Sequence, residues 1–236
     1  MIILGIDTSA QTASAAVCSE DRIIACGSVN AKLTHSQTIM PLVTSLLEAA
    51  HISLDGIDAF AVSKGPGSFT GIRIGVSAVK GLSFAKSKPC IGVSTLSALA
   101  YNMLGFDGII CPVMDARCSQ VYNAVFRISG GVPERFCPDR AISIGELKKE
   151  LTGLDEKIYL VGDGAELCFK EMSEELKNIR LAPPALINQL GSSVCAAAFS
   201  EKPCSAAELM PEYLRLPQAQ RELNERLKKQ RGDIND

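Results

Sequence analysis

Five glycines, at 65, 67, 71, 75 and 81, fall within the twenty residues from Ser63 to Leu82, directly after the short apolar run DAFAV. A loop between a strand end and a helix start collects unpaired backbone N–H groups and the positive end of the helix dipole, so it can hold an anion. Gly65 and Gly67 would let a phosphate or another backbone approach closely, and would permit positive φ. Ser68 and Thr70 add hydroxyls to the same loop. The segment nevertheless runs G-P-G-S-F-T-G, which is neither G-x-x-x-x-G-K-[ST] nor G-x-G-x-x-G, and no lysine follows at P-loop spacing. A strand-to-helix turn with no ligand fits the spacing as well as a phosphate cradle does.

The remaining polar candidates are scattered. Asp7, with Thr8 and Ser9 behind it, ends the first apolar run, where it could face a nucleotide's magnesium or close a hairpin as an Asx turn. Asp115 and Arg117 follow another apolar run and read as a local ion pair or turn; Asp163 in GDGA reads as a strand-to-helix turn near a helix dipole. Ser68 lies in no G-x-S-x-G elbow and His35 has no evident partner, so hydrolase chemistry is unsupported. The only histidines, His35 and His51, have no ligand at metal spacing, and we expect no protein-held metal. The nine cysteines are odd in number and form no C-x-x-C pair, which points to reduced thiols.

Bulk properties set the frame for these residues. A chain of 236 residues, 47% apolar and without a run of eighteen apolar residues, suggests a soluble protein of two compact domains and no membrane association. MIILGIDTSA has no basic flank before its apolar run, so it reads as a first strand in a cytoplasmic protein. A net charge of −2 argues against a chain that grips nucleic acid alone. The tail QRELNERLKKQRGDIND, mixed in sign, reads as a solvated terminal helix.

IILGIDTS, TASAAVCS and RIIACGSV form a β-meander. THSQTIMPLVTSLLEAAHI then places Ile39, Leu42, Val43, Leu46 and Leu47 on one helical stripe, with Thr34 or Ser36 as N-cap; Pro41 costs a hydrogen bond there unless the helix starts late. DAFAVSKG is a strand, followed by the glycine-rich helix to about Lys86, the strand CIGV and the helix STLSALAYNML. From Gly105 the order restarts: GIICPVMDA, QVYNAVFRI and a third short strand within VPERFCPDRAIS precede a helix capped by Ser143 and Glu146, the strand KIYLVG and a helix after GDGAE. INQLGSSVCAAAFS reads as a small-residue helix and MPEYLRLP as an extended segment. Two copies of βββαβα predict an α/β, duplicated two-lobed fold of the actin-like (ASKHA, ribonuclease-H-like) group. The expected lobes are 1–104 and 105–205, with 206–236 an extended segment and charged tail packing back on the first lobe.

On the glycine-rich helix Gly71, Gly75, Ala78 and Leu82 make one smooth stripe, opposite Ile72, Val76 and Val79. The stripe could dock another helix or pack within its own domain.

The motifs ILGIDTS, KLTHSQTIMPLV, GPGSFTGIRIGVSAVKGL, MDAR…VY, VGDGA and PEYLR run in order over nearly the whole chain, and in this they resemble the TsaB (YeaZ) family of tRNA threonylcarbamoyladenosine biosynthesis proteins. The resemblance implies a non-catalytic partner of the paralogous TsaD transferase, which places threonylcarbamoyl on N6 of the adenosine next to the anticodon. It implies that the ATPase TsaE joins the pair, that tRNA is met only through the complex, and that no cofactor is held by the isolated chain, with ATP or ADP at the complex interface. A homodimer in the absence of TsaD is also implied. The family pairs its first two helices in a four-helix bundle, which maps to His35, Ile39, Leu42 and Leu46 on one helix and Gly71, Gly75 and Ala78 on the other. Gly75→Arg is then expected to abolish TsaD binding and leave the monomer folded. Asp7, Thr8, Ser9, Gly65, Gly67, Ser68 and Thr70 become a degenerate nucleotide site. The chain departs from the family where Cys118, Ser119 and Gln120 replace a basic or glycine residue and a glutamate before VY. The alternative reading is an independent actin-fold ATPase or small-molecule kinase using Asp7 and the Gly65–Thr70 loop. A peptidase reading lacks both a metal-binding pair and a nucleophile.

Overall fold

The structure, a computed structural model, describes residues 1–31 and 33–215. The predicted tail helix lies outside the described residues.

Three strands open the chain, β1 (Ile3–Asp7), β2 (Ala13–Cys18) and β3 (Ile23–Val29), followed by helix α1 (His35–Ala49), strand β4 (Ala59–Gly65), helix α2 (Phe69–Lys86), strand β5 (Cys90–Ser94) and helix α3 (Thr95–Tyr101). They form one sheet in the order β3-β2-β1-β4-β5, antiparallel across β1–β2–β3 and parallel across β1–β4–β5. β1 and β2 are buried along their whole length, because helices cover both faces of the sheet. On one face Leu4, Ile6, Phe60 and Val62 meet Ile39, Val43, Ile72 and Val76 of α1 and α2. On the other Ile3, Ala16, Ala61 and Val93 meet Ala98 of α3 and residues of a late helix, α6 (Gly191–Ala198).

Between α3 and α6 the order repeats with added detail. β6 (Gly108–Asp115), β7 (Gln120–Asn123), β8 (Phe126–Ile128), β9 (Glu134–Arg135) and β10 (Arg140–Ser143) precede α4 (Ile144–Leu151), β11 (Ile158–Val161), α5 (Ala165–Met172) and β12 (Ile179–Leu181). The second sheet runs β10-β7-β6-β11-β12, the same third-second-first-fourth-fifth order as the first, so the duplication expected from the sequence is present. Three details differ from that expectation. QVYNAVFRI, read as one strand, breaks at Ala124 and Val125 into β7, which pairs with Val113–Asp115, and β8, which pairs with Gly108–Ile110. The expected third strand is likewise split into β9 and β10, and β12, three residues long, is too short to register in the sequence.

Helix ends follow local chemistry. Ser143 and Glu146 make the predicted capping box, with the Glu146 N–H donating to Ser143 Oγ at 3.2 Å and the Ser143 N–H to Glu146 Oε2 at 3.2 Å. α1 does not start late: it begins at His35, and Pro41 lies inside it on the exposed side, where water can satisfy the carbonyl freed one turn earlier. α6 belongs to the 105–205 segment in sequence but packs on β1 and β2, where Gly5 and Gly191 permit close approach: a Cβ on Gly5 would lie 2.6 Å from Cys195 Sγ.

After α6 the chain continues as an extended strap. Cys204 forms an antiparallel bridge with Cys90 on the edge of β5, Leu209 enters the first core, and the Glu212 N–H donates to the Lys64 carbonyl at 2.7 Å. The strap so reaches the C-terminal ends of β4 and β6.

Candidate functional site

Between the lobes lies a cleft of about 510 Å3. Its floor and walls come from the loops at the strand ends of both sheets and from the strap. Ser9 and Gln11 approach from the β1–β2 turn, Gly67, Ser68 and Thr70 from the β4–α2 turn, Asp115 and Arg117 from the β6–β7 turn, and Asp163 from the β11–α5 turn. Tyr213 and Arg215 close the remaining side.

The β4–α2 turn is shaped by backbone needs that only glycine meets. Gly65 and Gly67 have φ of +132° and +155°, as their expected permissive role requires, and the Gly65–Pro66 bond is cis. Gly65 is covered by the strap: a Cβ there would lie 2.2 Å from the Glu212 carbonyl oxygen. Gly67 abuts Ser9, whose carbonyl accepts from the Ser68 N–H at 2.7 Å. Ser68 caps α2, its Oγ accepting from the Gly71 N–H at 3.3 Å. The N-terminal turn of α2 therefore opens toward the cleft, while part of its donor set is already used within the chain.

Asp7 and Thr8 lie beneath the cleft, not in it. Asp7 is wholly buried, and its Oδ1 accepts from the Ser9 N–H at 2.8 Å and the Ser9 hydroxyl at 2.7 Å, while Oδ2 accepts from the Ser63 hydroxyl. Burial raises the Asp7 pKa above the usual carboxylate value, against the lowering influence of the Ser63 and Ser9 hydrogen bonds and the His35 charge. Thr8 is equally buried and donates its hydroxyl to the Gly71 carbonyl at 2.7 Å. Of the seven residues expected to form a degenerate nucleotide site, Ser9, Gly67, Ser68 and Thr70 line the cleft; Asp7, Thr8 and Gly65 are covered by neighbouring chain.

The expected docking stripe needs a correction. Gly71 and Gly75 face inward: a Cβ on Gly71 would lie 2.0 Å from the Thr8 carbonyl oxygen, and one on Gly75 2.4 Å from Thr8 Oγ1. These glycines let α2 sit against the end of β1, so Gly75→Arg would disrupt the lobe instead of probing a seam. Ile39 is in the core, and Leu42 and Leu46 lean over Gly27 of β3. His35 is half-buried with Nε2 2.6 Å from the Ala10 carbonyl oxygen, which ties the start of α1 to the β1–β2 turn. Ala78 is half-buried, and the exposed side of α2 runs through Arg73, Ser77, Gly81 and Phe84, next to the predicted stripe, with Gly81 facing free space.

Sequence reasoning did not anticipate the strap residues Tyr213 and Arg215 as walls of the cleft. Tyr213 stacks on Phe69 with ring centroids 4.6 Å apart and receives a hydrogen bond from Arg73 Nε at 2.9 Å; Arg73 also lies 3.8 Å over the Phe69 ring. Arg215 reaches the second lobe, donating to the Ala116 carbonyl at 2.6 Å. The available signal was the PEYLR motif, whose destination depends on a fold 140 residues away. The departure at Cys118 and Ser119 sits beside the cleft on a backbone that is left-handed at Arg117, Cys118 and Ser119, with φ of +63°, +55° and +53°. Asp163, read as a turn former, has an exposed edge on the cleft; enclosure by the turn pushes its pKa up to about 6, assisted by the charges of Asp115 and Asp7.

Chemically, the cleft offers hydroxyls, a helix N-terminus and two arginines together with the carboxylates of Asp115, Asp163 and Glu212. Among the described residues no three His, Cys, Asp or Glu side chains converge as metal ligands. All nine cysteines are free. Among those residues, too, no helix is long and apolar enough to cross a membrane.

The family model for TsaD, tRNA N6-adenosine threonylcarbamoyltransferase, matches residues 29–222. The tRNA threonylcarbamoyladenosine biosynthesis protein TsaB of Bacillus subtilis is 34% identical over 222 residues, 93% of this chain and 96% of that one. A solved structure from Pseudomonas aeruginosa, of an uncharacterized protein with similarity to peptidase YEAZ, superposes with a TM-score of 0.78 at 26% identity, over 91% of this chain and 99% of that chain. Component A of Acidaminococcus fermentans (R)-2-hydroxyglutaryl-CoA dehydratase, at TM-score 0.51 and 12% identity over 84% of this chain and 97% of that chain, shares the fold alone. A duplicated actin-like fold, the ordered motifs from ILGIDTS to PEYLR and a relative matched nearly end to end converge: the chain belongs to the TsaB family of tRNA threonylcarbamoyladenosine biosynthesis proteins.

Proposed function

We propose that this chain is the non-catalytic partner of a TsaD-type transferase, active in the cytoplasm, in forming N6-threonylcarbamoyladenosine next to the anticodon. The observation that carries the reading is the state of Asp7: the one carboxylate at the end of the first strand is buried and spends both oxygens on Ser9 and Ser63. Such a group is a structural anchor for the β1–β2 turn and is closed to substrate.

In this reading the partner pairs with the outward faces of α1 and α2 in a helix bundle, through Met40 and through Ile74, Ala78 and Gly81, and a homodimer uses the same patch in the partner's absence. TsaE and tRNA engage the complex and not the isolated chain, and a nucleotide, ATP or ADP, occupies the inter-lobe cleft only at the complex interface. The lobes are assigned as 1–104 and 105–205, with the described residues 206–215 returning to the first.

Gly81→Arg tests the bundle, since Gly81 has open space around it and the monomer should stay folded. The expected result is loss of co-purification with TsaD at a melting temperature no lower than the parent's; co-purification at full strength removes the proposed face. Nucleoside analysis of tRNA from a depletion strain tests the role, with threonylcarbamoyladenosine restored by this chain only when TsaD is present.

The cleft itself favours one second reading, an independent actin-fold ATPase or small-molecule kinase. Calorimetric titration of the isolated chain with Mg-ATP separates the two: micromolar binding with turnover supports the kinase, negligible binding the partner.

A further inference from the structure

Cys90 and Cys204 oppose each other directly in an antiparallel bridge, the Cys90 N–H donating to the Cys204 carbonyl at 2.9 Å and the Cys204 N–H to the Cys90 carbonyl at 2.8 Å. A hydrogen-bonded pair of this kind sets its Cα atoms about 5.5 Å apart with both side chains on one face. Disulfides span Cα separations of about 4.4–6.8 Å. Both thiols are free, and both border the first core.

Access separates this pair from the other close one. Cys18 and Cys195 share a hydrogen bond but are 4% and 0% exposed, so reagents cannot reach them without unfolding. Cys204 is half-exposed and lines a surface groove of about 650 Å3 with Phe84, Ser87, Lys88, Pro89 and Pro203, while Cys90 lies fully buried behind it. The geometry is that of an attacking thiol at the surface with a resolving thiol beneath it.

We propose that Cys90 and Cys204 form a reversible disulfide by exchange with a small-molecule disulfide of the glutathione type, which locks the strap 204–215 to the edge of the first sheet. In the first step the Cys204 thiolate, its proton released to solvent, attacks one sulfur of the small disulfide; the new S–S bond forms as the old one breaks and one thiolate leaves. In the second, Cys90 gives up its proton and attacks the Cys204 sulfur, expelling the second small thiolate. Two protein thiols are oxidised and one small disulfide is reduced to two thiols. Burial and the nearby Cys90 and Glu208 raise the Cys204 pKa, against the lowering charges of Lys64 and Lys80, so the exchange is slow at neutral pH.

The lock matters because of what the strap does beyond the bridge. Its Leu209 carbonyl accepts from Lys80 Nζ at 3.0 Å, its Glu212 amide is held by Lys64, and its Tyr213 and Arg215 wall the inter-lobe cleft. Fixing its root covalently restrains that wall.

The test uses the full chain with the exposed Cys26 and Cys118 changed to serine, incubated natively with oxidised glutathione and mapped by mass spectrometry without reduction. The expected product is a Cys90–Cys204 linked peptide pair, reversed by dithiothreitol and absent in Cys204→Ser. Hydrogen exchange at the Glu212 amide should slow by about tenfold or more on oxidation, because local opening of the strap is the route to exchange. The proposal fails if Cys204 is recovered only as a glutathione adduct with Cys90 still open to alkylation after unfolding, if Cys18–Cys195 links instead, or if the Glu212 amide exchanges at the same rate in linked and reduced protein. Cys90→Ala, which places no polar group in the core, must trap the glutathione adduct on Cys204; its absence there would equally overturn the two-step exchange.

Discussion

Replacing Gly75 by alanine decides what the glycine stripe of α2 is for. In the folded chain an added Cβ would lie 2.4 Å from Thr8 Oγ1 and 3.2 Å from Val62 Cγ2. Thr8 cannot swing aside freely, because it is buried and its hydroxyl is committed to the Gly71 carbonyl at 2.7 Å. The helix must therefore shift outward or the hydrogen bond must break. Overpacking of this kind costs about 1–3 kcal/mol. Alanine returns about 1 kcal/mol of helix propensity, so the net loss is at most roughly 2 kcal/mol. For a protein of this size that lowers Tm by up to about 8 °C. Gly71→Ala is harsher, since its Cβ would meet the Thr8 carbonyl oxygen at 2.0 Å and backbone cannot yield as a side chain can. Gly81→Ala, with nothing within 4 Å, provides the opposite sign on the same helix: a gain of about 1 kcal/mol. Urea unfolding of the three variants and the parent gives the order directly. Were Gly75→Ala as stable as Gly81→Ala, the glycines would not be holding α2 against β1, and the docking role expected from the sequence would regain its basis.

Asp7→Asn keeps the volume and the Ser9 acceptor while removing a buried charge. Since the folded pKa of Asp7 is raised, its protonation favours the folded state at low pH, and that contribution is lost as pH rises through the folded value. The variant should therefore gain stability over the parent at pH above the raised folded value and lose that advantage as pH falls toward 3.8, read by urea midpoints against pH; an advantage independent of pH would contradict the burial argument. Asp163 should titrate near its raised value of about 6, not 3.8, in a carbon-detected NMR titration. By the same sign Asp163→Asn should stabilise the chain above that pH, with the gain fading as pH falls through the window between the two values, and its open edge keeps the effect small. Ser87 ends α2 with φ of +53°, so Ser87→Gly should raise stability by about 0.5–1 kcal/mol, measured as a higher urea midpoint.

The sequence carried the architecture well because its signals are local. The repeated βββαβα order, the capping box at Ser143 and Glu146 and the positive φ of Gly65 and Gly67 each follow from residues within a few positions of one another. The site was less legible because its decisive contacts are long-range. A helical wheel places Gly71, Gly75 and Ala78 on one stripe, but whether that stripe meets a partner or the chain's own backbone depends on Thr8, 63 residues away from the Gly71 it touches. Asp7 reads from sequence first as a turn former and second as a magnesium-facing carboxylate; what the sequence does not show is that the neighbouring strand's Ser63 hydroxyl donates to its second oxygen. The strap is the extreme case, since Tyr213 meets Phe69 and Arg73 across most of the sequence, and no periodicity within PEYLR points to either. Glycine types and spacings thus report that a close approach occurs, while the identity of what approaches is written elsewhere in the chain. It follows that substitutions at Gly71 and Gly75 measure the lobe's own packing, and that binding of a partner has to be probed at residues such as Gly81, where the chain leaves space open.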